Sequence, residues 1–583
     1  MRGTIQLSAL DRHFAGFIVD LEERAGRVFH RDGAERDRLW LAAALASAAG
    51  GRGHSCLDLA STEGTAVAGQ VPQEALPVPD SDEWRAILEG CATIGRPGDF
   101  TPLVLDRAGR LYLHRAWEWE RQVADAVARL GADDSAGEPP AAVLLDRYFP
   151  PKGEEPDLQR LAAETALTRR FTVISGGPGT GKTATVARIL AMAHTMFTPP
   201  PRIALAAPTG KAAMRLRQSI EQAFSRLPEG AMPAEGLPRE VRTIHRLLGV
   251  IPGSVSFRHD RNNPLPYDML VVDEASMVDL PLMARLLDAV PPGARVILLG
   301  DRDQLASVEA GAVLADICAS GSAAGAAGPA VIQLRRSWRF GPQSGIGRLS
   351  RLVNAGDGEG ALDLLRSREC PDITWRDLPS GREFDGAFDA AAGEGFSAYA
   401  SCSGPREALV QLDRFRVLTP LREGPYGTLA LNRICSSALG RRRAKAVSAV
   451  CFEPLMVSGN DYGLGLFNGD TCVTEAADER QSAWFDDGMG GVRRLSRLRL
   501  PSCDTAYALT VHKSQGSEFE RVLLVLPECG HELIGRELLY TAITRARERV
   551  EIWSSAEVFL QAVGRRIERI SGLRDMIREG VAS

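Results

Sequence analysis

Lysine is nearly missing from this chain of 583 residues. Of its 69 basic residues only five are lysine, at Lys152, Lys182, Lys211, Lys445 and Lys513, and all the others are arginine. Arginine is a planar fork and lysine a compact point charge. In a chain that writes positive charge as arginine, each surviving lysine marks a candidate site where the fork does not serve. Close-set cysteines are missing too: among ten, the nearest pair, Cys435 and Cys451, is 16 residues apart. That excludes a CxxC metal or redox pair and predicts a reduced, cytoplasmic protein. Met1 to Val19 has no apolar segment of the signal-peptide kind. The longest apolar run, Leu39 to Ala46, falls well short of the ~18 residues that span a bilayer, so no membrane is expected. A surplus of positive charge is also absent: 69 basic against 74 acidic residues leave a net charge of −5. An anionic partner would therefore have to be held in a local groove.

What is present is ordinary for a folded protein, with 44% hydrophobic and 25% charged residues. The length predicts about four domains. Residues 1 to about 125 read as mainly helical, with helix-compatible stretches at Arg36–Ala49 and Trp117–Leu130 and a short hairpin of Leu103–Leu105 with Leu111–Leu113. A Pro/Gly-bearing linker begins at Gly131. Apolar strand-like runs at Phe171–Ser175, Ile203–Ala207, Met269–Val272 and Val296–Leu299 then alternate with helical stretches, the pattern of a parallel sheet with crossover helices. Loops are expected at 319–330 and 354–360. A second such alternation starts near Arg414 and resumes at Ala506. Between them, 452–500 reads as a small β-rich insertion.

The chemistry begins after the first of these strands. Gly176, Gly177, Pro178, Gly179, Thr180, Gly181, Lys182 and Thr183 match GxxxxGK[ST], with a strand before them and a helix after. Such glycines let backbone N–H groups close around a phosphate at a helix N-terminus. Lys182 would reach the β- and γ-phosphates and Thr183 would ligate Mg²⁺. Met269–Val272 runs into Asp273 and Glu274, a buried strand ending in two acids. Asp273 would hold Mg²⁺ and Glu274 would polarise an attacking water. Gln304, in Gly300-Asp-Arg-Asp-Gln304, can touch the γ-phosphate from a strand end. ATP and Mg²⁺ are the expected cofactors.

Further strings follow in order: Pro208-Thr209-Gly-Lys211, Thr243-Ile-His245-Arg-Leu-Leu-Gly249, Ser337-Trp338-Arg339-Phe340, Thr510-Val-His512-Lys513-Ser-Gln-Gly516-Ser-Glu518 and Leu539-Tyr-Thr-Ala-Ile-Thr544-Arg545. With the P-loop, this set resembles the motifs of superfamily 1 helicases over about 159–550. Leu421-Arg-Glu-Gly-Pro-Tyr-Gly427, Asn460 to Asp470 and Leu111 to Trp117 add a likeness to the RecD subunits of exodeoxyribonuclease V.

The resemblance implies an α/β fold of two RecA-like P-loop domains. The first spans 151–345 and the second 346–451 and 501–583, with a small SH3-like β insertion at 452–500. A mainly helical partner-docking domain at 1–130 and a linker at 131–150 precede them. It also implies that Gln159 reads adenine, Trp338 stacks on it, Gly516 borders the nucleotide and Glu518 accepts from the ribose. Arg339 and Arg545 would enter from the second domain as arginine fingers. Single-stranded DNA would be contacted by Pro208, Thr209, Lys211, Thr243, His245, Thr510, His512 and Lys513. The lone histidines His245 and His512 could instead be structural. The implied activity is ATP-driven 5′→3′ translocation and unwinding of duplex-end DNA, with RecB-like and RecC-like partner chains and no nuclease centre in this chain. The rival is a stand-alone helicase of the same core. Lys152 and Lys445 fall in no motif.

Overall fold

The computed structural model describes residues 4–26, 34–63, 65–68, 75–132, 139–151, 157–228, 238, 240–307, 309–321, 328–341, 343–443, 451–461, 463–475, 481–488 and 490–582. Lys152, Lys445, most of the expected linker at 131–140 and the middle of the expected loop at 319–330 lie outside them.

Two parallel sheets organise the chain. The first runs, edge to edge, through Val241–Thr243, Ile203–Ala207, Met269–Val272, Arg295–Gly300, Phe171–Gly176 and Ala330–Leu334. Its strands are near-continuous apolar runs because both faces are covered. Val173, Leu270, Val272, Val296 and Leu298 enter one core, while Ile174, Met269, Val271, Ile297 and Leu299 enter the core on the other side. The second sheet runs through Ile373–Asp377, Ala546–Ser554, Phe519–Val525, Phe415–Thr419 and Ala508–Thr510, all parallel. It too is packed on both faces, with Leu418, Val522 and Leu524 on one side and Val417, Leu523 and Val525 on the other.

Between Phe452 and Thr505 lies a five-stranded antiparallel sheet with its own small core of Leu455, Val457, Cys472 and Phe485. The N-terminal region is helical, as expected, and the hairpin pairs Leu103 with Leu113. Among the described residues it also carries two small sheets, of three and four strands. Their strands are only two to four residues long, too short to show an alternation in sequence.

Two helices cross the expected domain boundaries. His114–Ala132, at the end of the N-terminal region, buries Val123, Val127 and Leu130 in the first sheet's core. The C-terminal helix Leu573–Ala582 buries Leu573 and Ile577 in that same core rather than in the second half's. The expected loop at 354–360 is a tight turn between two helices. Gly356, at φ 78°, ends the first and the Asp357 side chain caps the second. Among the described residues, no helix is long and apolar enough to cross a membrane.

Candidate nucleotide and DNA site

The candidate residues gather where parallel sheets place their ligands, at the C-terminal ends of the strands. Strand Phe171–Gly176 runs into the P-loop, and helix Lys182–Met196 starts at its far end. Gly179 and Gly181 sit at φ 76° and 86°, a region open to glycine without strain. Space forces the choice as well. A Cβ on Gly181 would lie 2.5 Å from Nε2 of Gln159, and one on Gly179 only 2.3 Å from Cβ of Arg339. Lys182 donates from Nζ to the P-loop carbonyls of Gly176 and Gly177. Thr183 stands half-buried in the helix's first turn.

Asp273 and Glu274 follow the neighbouring strand Met269–Val272. Burial, and then the charge of Glu274, raise the Asp273 carboxyl above its ordinary value, and Lys182 opposes them. Two acids crowded at a buried strand end are a donor set that suits a hard divalent cation. Glu274 adopts φ 51°, a left-handed conformation rare outside glycine. Strain of this kind gathers at functional positions.

Two segments flank the P-loop where an adenine is expected. The Gln159 Nε2 donates to the Thr180 carbonyl at 3.2 Å. Trp338, 53% exposed, is tied to the P-loop by its N–H to the Gly179 carbonyl at 2.8 Å, and Arg336 lies over its ring. Gln159 and Trp338 therefore flank Gly181. Arg339 follows directly, on the segment after strand Ala330–Leu334 of the first sheet. It is thus not carried in by the second half, as expected, but stands at the crossing between the halves.

Arg339 pairs with Glu518 at 2.7 Å, and Arg547 pairs with the same carboxylate at 3.0 Å. Burial works against that charge, but Arg339, Arg545 and Arg215 hold the Glu518 carboxyl down at about 2. Glu518 is thus an anchored anion among arginines, which the motif alone did not indicate. Arg545 is buried and donates to the carbonyls of Thr541 and Ser517. Gly516 sits at φ 66° with its Cβ position 3.6 Å from Ala212, at the start of helix Gly210–Phe224.

Gln304 is buried and donates to Asp301 at 3.1 Å. Asp301 also accepts from the Tyr540 hydroxyl at 2.8 Å. Neither Asp301 nor Tyr540 was singled out from sequence, although both lie inside strings that were.

The expected DNA contacts form two groups. Pro208, Thr209 and Lys211 follow strand Ile203–Ala207; Thr243 ends its neighbour Val241–Thr243, in register with Ala207, and His245 follows. Thr209 and Thr243 both cap helices through their hydroxyls. Burial pushes the Lys211 ammonium down to about 8. It lines a cavity of about 380 Å³ with Met214, Val410, Phe467 and Arg493. His245 packs edge-on against Phe257 and burial lowers its pKa. In the second group, Thr510 ends strand Ala508–Thr510 of the second sheet and His512 and Lys513 follow it. Burial and Arg569 lower the His512 pKa. Lys513 pairs with Asp504 at 2.7 Å.

Comparison with known proteins agrees along the chain. Residues 4–112 match the N-terminal domain of RecBCD enzyme subunit RecD, 159–310 an AAA domain, and 505–552 a UvrD-like helicase C-terminal domain. The RecBCD enzyme subunit RecD of Mycobacterium tuberculosis is 42% identical over 550 residues, 93% of this chain and 92% of that protein. The RecD subunit of Haemophilus influenzae is 31% identical, covering 81% and 80%. The ATP-dependent RecD2 DNA helicase of Deinococcus radiodurans is 33% identical, covering 85% of this chain but 63% of that protein. A solved Pif1 helicase from Bacteroides, in complex with ADP-AlF3 and single-stranded DNA, aligns over 70% of this chain at 15% identity with a TM-score of 0.37. With three regions of one pattern and relatives matched nearly end to end, the chain belongs to the RecD family of ATP-hydrolysing DNA helicases.

Proposed function

We propose that the chain is the 5′→3′ motor of a RecBCD-like helicase–nuclease complex in the cytoplasm. It would work beside RecB-like and RecC-like chains on the ends of broken duplexes for recombinational repair. The observation that carries the motor reading is the convergence of both halves on one loop. Lys182 lies within the P-loop, Gln159 and Trp338 flank it, and Arg339 pairs with Glu518 across the crossing, with the Arg545 charge acting on that carboxylate.

ATP would bind with its phosphates in the loop 176–183 and its base between Gln159 and Trp338. Thr183 and Asp273 fit a magnesium ion, which when bound offsets phosphate charge. Lys182 would hold the β- and γ-oxygens, and Glu274 would orient the attacking water. Arg545 and Arg339 would stabilise charge on the transferring phosphoryl group. Because these arginines stand at the crossing, closing the cleft completes the site and opening it releases product. Thr209, Lys211, Thr243, Thr510 and Lys513, on the two halves, would hold backbone phosphates without reading bases. Alternating closure would then move the strand.

Strand displacement on 5′-tailed and 3′-tailed duplexes tests the polarity. Unwinding from 5′ tails is expected, and unwinding only from 3′ tails overturns it. The matched N-terminal region at 4–112 favours a subunit over a stand-alone enzyme. Affinity purification from cells should bring down stoichiometric RecB-like and RecC-like chains. A lone monomer would favour the stand-alone reading, which the RecD2 relative also fits.

A further inference from the structure

Asp301 directly follows strand Arg295–Gly300 and is 2% exposed. Its Oδ1 accepts from the backbone N–H of Asp303 at 3.1 Å. Its Oδ2 accepts two side-chain donors, Nε2 of Gln304 at 3.1 Å and the hydroxyl of Tyr540 at 2.8 Å. Tyr540 belongs to the other half, on helix Arg536–Thr544, which ends next to Arg545. Burial and the Asp301 charge hold the Tyr540 phenol well above its ordinary pKa, so it remains a donor. The crossing is reinforced next door. Thr541 Oγ1 accepts from the N–H of Leu305 at 2.8 Å, and Gln515 Nε2 donates to the Leu305 carbonyl at 2.7 Å. The P-loop leaves room for the phenol, since a Cβ on Gly177 would stand 2.8 Å from the Tyr540 hydroxyl.

One carboxylate oxygen thus joins the candidate phosphate-sensing amide to a hydroxyl from the opposite half. A buried hydrogen bond to an ionised group is among the stronger kinds. Two donors on one oxygen also fix each other's geometry. We infer that Tyr540 is a positioning residue: through Asp301 it sets the Gln304 amide, so that movement of the second half reaches the γ-phosphate contact. This rests on reading Gln304 as that contact.

The test is steady-state ATP hydrolysis by the full-length chain, with its partner chains where they co-purify, at saturating single-stranded DNA. The variants are Gln304→Ala, Tyr540→Phe, Asp301→Asn and the doubles with Gln304→Ala. Tyr540→Phe should lower kcat about tenfold with the KM for ATP within about twofold, the mark of a contact made in the transition state. The Gln304→Ala, Tyr540→Phe double should be no slower than Gln304→Ala alone, because residues acting through one group are not additive. Multiplying effects in the double, or a wild-type kcat for Tyr540→Phe, overturn the inference. A wild-type rate for Gln304→Ala overturns the sensor reading itself, and this inference with it. If Tyr540→Phe melts early, Asp301→Asn takes its place in the same cycle, and additive loss there overturns the inference.

Discussion

The two halves contain the same piece of structure built around different loops. In each, the second strand from one sheet edge runs into a glycine-bearing loop and then a helix: Phe171–Gly176 into Lys182–Met196, and Phe415–Thr419 into Thr428–Arg443. In the first half the loop turns on a Thr180 N–H to Gly177 carbonyl bond of 3.3 Å, and its lysine lies against the loop's own carbonyls. In the second, the loop turns in the same way but carries no lysine. The Gly427 N–H donates to the Gly424 carbonyl at 3.1 Å and the Thr419 hydroxyl to the Tyr426 carbonyl at 2.7 Å. Tyr426 is 5% exposed, meets Phe384 edge-on with ring centroids 4.7 Å apart, and donates to Glu528. Strand, loop and helix are therefore common to both halves. What separates the halves is a lysine at the helix start against an aromatic plug in the loop.

The hardest test of that contrast is Lys182→Gln, which should lower ATP hydrolysis about a thousandfold or more while the fold survives, since the removed charge faces transition-state phosphate. A rate near wild type would move the active loop elsewhere. Tyr426→Ala should behave the other way. It should cost about 3 kcal/mol of stability in a denaturant melt, because it empties a packed aromatic site, and it should leave ATP affinity unchanged.

A milder change probes the base side. Trp338→Ala should raise the KM for ATP about tenfold, the worth of one base stacked on an aromatic ring, and leave kcat within about twofold. An unchanged KM would take adenine away from Trp338.

The smallest effect is expected from pH. With its pKa pushed down to about 8 by burial, Lys211 is charged below that pH and neutral above it. Affinity for single-stranded DNA should accordingly fall about fivefold between pH 7 and 9 as one phosphate contact loses its charge. Lys211→Met should bind more weakly at pH 7 and flatten this pH dependence. A variant that keeps the wild-type slope would show that another group titrates.

The contrast also shows what could be read from the sequence. The P-loop, the Met269–Glu274 strand and the parallel-sheet texture were legible because each is written in a short local pattern whose chemistry is fixed by spacing. The lysine scarcity pointed the same way. The lysines at 182, 211 and 513 all stand at candidate sites, and Lys513 is held against Asp504. The crossings were not legible. Tyr540 and Asp301 meet across 239 residues, and nothing in either string names its partner. Glu518 offered a carboxylate to a ribose in sequence, whereas the fold surrounds it with arginines drawn from three separate segments. The C-terminal helix matches many a solvent-facing helix in pattern, and only tertiary packing assigns Leu573 and Ile577 to the first half's core.

That last helix has a mechanical consequence. The chain passes from the first half to the second at 335–344 and returns at 565–572, where Arg569 donates to the carbonyls of Ser307, Glu309 and Gly311. The halves are thus joined by two straps, like a door hung on two pins rather than a ball in a socket. The crossings at Asp301–Tyr540, Leu305–Thr541 and Arg339–Glu518 tie the same seam from within. Cutting the return strap after Gly564 would keep both sheets and both halves of the nucleotide site. It would also leave a single covalent tether between the halves, with the crossings at Asp301, Leu305 and Arg339 carrying the rest of the join.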